Sequence, residues 1–386
     1  MNSKTIKMMF AILRSAVCDD VLTDDEKALY NADMLPEMEK ISKNHDVINI
    51  LSFGLQKNGL LNENNESLEA ELLNSVYRYT KLDYELNCLC DALESAQVPF
   101  IPLKGSVIRK YYPEPWLRTS CDIDVLIQHC DIEKAKLCFQ DTLKYKYIDE
   151  NDYHLSFASQ NGCHIELHFD LIQDNRVNTA SQVLKNVWDT AAKHTGFDYW
   201  YEMSDEMFYV YHITHMAKHF TRGGCGIRPF IDIFVLKKNV AYDEKKRELL
   251  LTEGGLKEFS NVAESLTNVW FNNAEPTEIT LQLQDYILHG GVAGTNENYI
   301  LIKQQELGGK FKYIFYKIFF PYNELKMLYP ILRKHKWLTP IMEVRRWFRH
   351  IFYLRFKNAA NELKFNDSVS ESTSENMKTM LDRLGL

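Results

Sequence analysis

The apolar positions of this chain change their period twice. From residue 1 to about residue 96 they recur three and four apart, the spacing that lines one face of an α-helix. The clearest run is Leu72, Val76, Tyr79, Leu82, Leu86, Leu89 and Leu93, which predicts one long helix over 68–96 after a break at NGLLNENNESLEAE. Shorter helices precede it, among them DDEKALYNADMLPEMEKISKNHD with its acidic first turn. Between Val98 and Leu171 the pattern shortens to brief apolar or alternating runs, predicting strands at 98–103, 121–128, 145–148, 153–159 and 163–171. Gln160, Asn161 and Gly162 read as a hairpin turn between the last two. A helix is expected after Gly105, stopped by Pro113 and Pro115, and another from an Asp131 cap to about Leu143. Beyond Ala180 the helical period returns and holds to about Lys364, before a polar stretch from Asn366 to Asn376 and a last short helix. The fold class is therefore α+β: a helical N-terminal region (1–96), a small mixed-sheet core (97–180), a large helical C-terminal region (181–365) and a tail (366–386).

Composition narrows this only slightly. A chain of 386 residues suits two domains or one elaborated domain, and 45% apolar with 25% charged residues excludes a disordered protein. The net charge of −8 is uneven: residues 310–357 carry twelve Lys and Arg against Glu324 and Glu343, interleaved with fourteen aromatics. That block predicts an anionic partner, although amphipathic helices with solvated basic faces explain it more plainly. No run reaches the roughly 18 uncharged apolar residues of a membrane span. Lys7 and Arg14 interrupt the N-terminal apolar stretch, so no signal peptide is expected. Eight scattered cysteines, with Cys88 and Cys90 the one close pair, suit a reduced, cytoplasmic setting.

The chemistry concentrates between Ile101 and Asp170. Residues two apart on a strand point the same way, so Asp122 and Asp124 share a face opposite Ile123, Val125 and Ile127. Along Cys163–Leu171, His164, Glu166, His168 and Asp170 face one way and Ile165, Leu167, Phe169 and Leu171 the other. Should the two strands lie side by side, Glu166 completes a three-carboxylate cage for divalent metal. Gly105 allows close backbone approach to a phosphate, and Ser106 adds a hydroxyl and an amide. Lys104 and Arg118 are the nearest cations for the outer phosphates. The plainer reading makes each element a wet sheet face or a simple turn.

The order LKGSVIRKYYPEPWLRTSCDIDVLI, then IELHFDL, resembles the nucleotidyltransferase superfamily with the DNA polymerase β-type fold. It is similar in particular to a bacterial family of uncharacterised nucleotidyltransferases, over about residues 98–171. The resemblance implies a nucleotidyltransferase core, Mg²⁺ (or Mn²⁺) held by Asp122, Asp124 and Glu166, and a phosphate-binding turn at Gly105 and Ser106. It implies an NTP substrate and an acceptor left open among small molecule, protein and RNA. It also implies that the YHITHMAKHF helix covers the sheet, making His215 a candidate for substrate contact beside His168 on the Glu strand. One departure is the gap of sixteen from Ser106 to Asp122, lengthened by the Tyr-Pro-Glu-Pro insertion.

His212, His215 and His219 fall on one helical face, where a hydrogen-bonded interior competes with a metal role. His164 and His168 lie roughly 13 Å apart on a strand, too far to share one ion. RGGCGIRPFID is no phosphate loop; Arg228 and Asp232 could pair with each other or face the site. Three readings remain: a metal-dependent nucleotidyltransferase, a catalytically inactive binding module acting through its basic C-terminal surface, and a toxin-like enzyme that modifies RNA. The first requires that the three carboxylates converge beside residues 105–106 and that no permanent Lys or Arg locks any of them.

Overall fold

A computed structural model describes residues 2–18, 20–61, 65–172, 177–292, 294–352, 365–366, 369 and 371–386. The helix expected to continue over 353–364, with Tyr353 and the end of the basic block, lies outside these described residues. The expected central helix forms as Glu66–Ser95. The strands are β1 (Phe100–Pro102), β2 (Asp122–Ile127), β3 (Lys146–Glu150), β4 (His154–Ala158) and β5 (His164–His168). They form one mixed sheet in the order β1-β2-β5-β4-β3, with β2 and β5 parallel and the other neighbours antiparallel.

Alternation along β2 and β5 decides the two faces of this sheet. Ile123, Val125, Ile127, Ile165 and Leu167 bury against Leu82, Leu86, Leu89 and Leu93 of the long helix and Phe139 beyond it. The opposite face carries Asp122, Asp124, Glu166 and His168, and the Asp205–Phe220 helix lies over it. Parallel pairing sets Asp122 beside His164, Asp124 beside Glu166 and Leu126 beside His168. A slip of one residue would turn Glu166 into the apolar face, so burial of Ile165 and Leu167 holds the register.

The larger apolar core joins both ends of the chain. Phe10 of the Ser3–Val17 helix stacks on Trp270 at 4.2 Å and meets Phe271 edge-on at 5.7 Å, both from the Lys257–Phe271 helix. Two local expectations fail. Beyond Ala180 the chain is not wholly helical: β6 (Ala192–Lys193) and β7 (Tyr201–Glu202) make a small ribbon, and Trp200 bridges to Phe100. Two-residue strands are too short to show a period, and the His194–Trp200 stack at 4.4 Å helps hold them. Asp131 precedes the Ile132–Leu137 helix but makes no capping bond, and the chain widens to a π-turn over Cys138–Thr142.

Candidate active site

Three carboxylates and an imidazole meet on the open face of β2 and β5. Asp122, Asp124 and Glu166 each offer an oxygen, and these atoms lie within 4.8 Å of one another. Asp124 is the most enclosed, at 2% exposure. Lys104 Nζ donates to its Oδ1 at 2.7 Å, and His168 Nε2 donates to the same oxygen at 2.8 Å. His168 Nε2 also lies 3.1 Å from Glu166 Oε2, while its Nδ1 is buried with no partner.

Lys104 reaches this position through an uncommon backbone. It sits at φ 47° and ψ −121°, outside the regions an L-residue favours, on the bend that links β1 to the short Gly105–Ile108 helix. Leu103 N–H bonds the Asp124 carbonyl at 2.9 Å and fastens that bend to β2. Strain of this kind costs of order 1–3 kcal/mol and persists only where the surroundings enforce it. Gly105 sits at a close approach: a Cβ there would stand 3.1 Å from Ser120 Cβ, tight enough that the Ser120 side chain would have to give way.

The charges are unbalanced. Burial alone would raise the Asp124 carboxyl, but Lys104 and His168 outweigh it and hold the group well below the usual carboxylate range. Asp122 goes the other way, raised by burial and then by the charge of Asp124, with Lys104 opposing. Glu166 is depressed, since the His168 hydrogen bond overcomes its burial. His168 is correspondingly raised, its bonds to Asp124 and Glu166 outweighing burial. Burial pushes His154, on neighbouring β4, down to about 4. Three carboxylates thus share Lys104 and His168, and Asp122 is the one whose ionised form the surroundings disfavour.

A cavity of about 390 Å³ opens beside these groups, within the usual ~300–1,000 Å³ of small-molecule sites. Lys104, Gly105, Asp122, Glu166 and His168 line one side; Tyr211, His215, Lys218 and His219 of the Asp205–Phe220 helix line the other. The family described as uncharacterised nucleotidyltransferases matches residues 36–272, which include the sheet, the covering helix and all of the cavity lining except Val292. The chain belongs to that family. No curated protein and no solved structure matches it significantly.

Within this member of the family, several expected residues take other places. Arg118 lines the cavity but its guanidinium is committed to Asp232, with Nε and Nη2 at 2.7 and 2.8 Å from the two carboxylate oxygens and Nη1 on the Thr119 carbonyl. Tyr112 donates to the same Asp232 at 2.7 Å. Arg228 and Asp232 therefore do not pair with each other; Arg228 pairs with Asp46. The Ser106 amide is taken by the Leu103 carbonyl at 3.2 Å, and its hydroxyl is buried without a partner, away from the cavity lining. His215 does face the cavity, 3.2 Å from His219 between Nε2 atoms, and His212 bonds the Pro229 carbonyl.

Reading the strands one at a time overlooked His154. The 160–162 turn fixes the β4–β5 register, which sets His154 directly opposite His168 and Ser156 opposite Glu166. That pairing could have been counted outward from the turn. Part of the basic block meets an acid within the chain: Lys326 and Arg333 reach Asp152 in the β3–β4 turn at 3.0 and 3.6 Å. The block lies beyond the matched residues, and Phe311 and Trp337 on it are 89% and 72% exposed. Among the described residues no helix is long and apolar enough to cross a membrane.

Proposed function

We propose that this chain transfers a nucleoside monophosphate from an NTP to an acceptor hydroxyl, in a divalent-metal-dependent reaction that releases pyrophosphate. The observation that carries this reading is the convergence of Asp122, Asp124 and Glu166, the first and last of which line a cavity, in a family described as nucleotidyltransferases. The donor set suits a hard cation: three carboxylates, one of them raised by burial and by the charge of Asp124. Asp122, Asp124 and Glu166 would hold Mg²⁺ (or Mn²⁺), which when bound supplies positive charge against the phosphate oxygens.

The chain's own groups supply position and proton transfer. Glu166 stays ionised through its bond to His168 and can accept the proton of the acceptor hydroxyl as that oxygen bonds the α-phosphorus. The bond from the α-phosphorus to the bridging oxygen breaks, and that oxygen leaves with pyrophosphate. Lys104, 22% exposed on a flexible stem, exchanges Asp124 for the triphosphate when a cation takes over that carboxylate. Gly105 keeps the bend open beside it, while Arg118 acts through Asp232 to hold the wall of the cavity rather than the phosphates. His168 and His215 border the space left for substrate.

The test is pyrophosphate release from NTPs with Mg²⁺. Asp122→Asn is expected to lower turnover by on the order of 10³-fold without loss of fold; an unchanged rate would refute the assignment. One observation favours the second reading, an inactive binding module: Lys104 already neutralises Asp124, the deepest of the three acids. NTP binding by calorimetry, without pyrophosphate release across acceptors of all three classes, would establish that reading instead.

A further inference from the structure

His154, Glu166 and His168 form a second convergence on the same sheet face. One ligand atom from each lies within 4.8 Å of the other two, and the three share only Glu166 with the acidic trio. Antiparallel register holds His154 and His168 opposite each other, with ring centroids 5.1 Å apart. His154 is 8% and His168 6% exposed, and the buried Nδ1 of His168 lacks any partner. A buried imidazole nitrogen with no partner is uncommon and calls for an explanation.

The His154 ring is held in place by Asn151 of the β3–β4 turn, which leaves its in-plane nitrogens open to a ligand. Asn151 Oδ1 accepts the backbone N–H groups of Tyr153 and His154, both at 2.9 Å, which fixes the orientation of its amide. The Asn151 NH₂ group must then face the ring, 3.0 Å from Nε2 and 3.3 Å from Nδ1, which places it over the ring face rather than on either nitrogen's in-plane lone pair. An unprotonated imidazole is the form that ligates metals. His168 is oriented through Nε2 by Asp124 at 2.8 Å, as metal-binding histidines commonly are by a carboxylate, and this leaves Nδ1 as its nitrogen without a partner.

We propose that His154, Glu166 and His168 bind one borderline divalent metal ion of the zinc class, separate from the hard cation of the acidic trio, with Glu166 common to both. Two imidazoles and one carboxylate select such ions over Mg²⁺, which favours oxygen donors and bulk water. Ligands of a Zn²⁺ ion stand ~3.4 Å apart at bonds of about 2.1 Å, so the side chains close modestly around it. The site stands independently of nucleotidyl transfer, since binding alone reveals it.

The experiment uses the full chain freed of metal, without nucleotide, titrated with Zn²⁺ and with Co²⁺ as a spectroscopic probe. Expected is one Zn²⁺ per chain that excess Mg²⁺ does not displace, with a Co²⁺ spectrum showing nitrogen and oxygen ligands and no thiolate charge-transfer band. His154→Asn, with its fold checked by circular dichroism, should weaken Zn²⁺ by about 100-fold or more, while Asp122→Asn keeps it. Zn²⁺ binding equally tight in His154→Asn, displacement by Mg²⁺, or a thiolate band from the cysteines would each overturn the proposal. Should His154→Asn fail to fold, His154→Gln takes its place with the same criteria. Loss of pyrophosphate release in Asp122→Asn with Zn²⁺ binding intact separates this site from the transferase reading.

Discussion

Two buried ionic clusters share the wall of one cavity and differ in how their charge is balanced. At Asp232, one carboxylate meets one guanidinium through two short bonds, and Tyr112 adds a third. Asp232 has no exposure, and Arg118 turns its third nitrogen to a carbonyl. Elsewhere along the same wall, Asp122 and Glu166, with Asp124 buried beside them, share Lys104 and His168, and one imidazole nitrogen goes without a partner. The first cluster is complete in itself and reads as structure. The second is left with negative charge to neutralise, and such imbalance is where ligands and metals act.

The sharpest way to break this comparison is Asp232→Asn. It strands the Arg118 guanidinium in the interior and should cost about 3–5 kcal/mol in urea unfolding. A loss under about 1 kcal/mol would place Arg118 among the free cations and return it to the phosphates. Lys104→Met comes next. Lys104 is partly exposed and His168 still bonds Asp124, so the expected loss is smaller, about 1–2 kcal/mol. The same change should tighten Mg²⁺ binding, measured by calorimetry, because the protein's own counter-ion is gone; weaker Mg²⁺ binding would sink the view that Lys104 holds the cation's place.

Smallest is an opposed pH dependence of stability. Asp232 is depressed in the fold because Arg118 overcomes its burial, so its contribution is present above the ordinary carboxylate pKa and is lost as pH falls through the lowered value. Asp122 is raised, so its contribution is present at low pH and is lost as pH rises through the raised value. Urea midpoints from about pH 3 to 6 check both. The deficit of Asp232→Asn against the parent should shrink toward acid, and Asp122→Asn should gain on the parent as pH rises. Parallel curves for both variants would show that the clusters are not opposites.

Much of the sheet was legible because its two faces differ so sharply. Ile123, Val125, Ile165 and Leu167 are apolar at every second position, and that period predicted both strands and the shared face of Asp122 and Asp124. The long helix over Glu66–Ser95 was equally plain, since its leucines repeat at helical spacing over many turns. The β6–β7 ribbon was not, because two residues carry no period.

Local pattern thus determined which side chains share a face, since backbone geometry repeats every two residues in a strand and every 3.6 in a helix. It did not determine which groups pair. Arg118 to Asp232, Arg228 to Asp46 and Lys104 to Asp124 join positions 114, 182 and 20 residues apart. Partners at such separations are chosen by desolvation and charge once elements pack, when a buried ion must take the nearest opposite charge. Tertiary packing alone therefore decided that Arg118 is part of the wall and that Lys104 stands guard over Asp124.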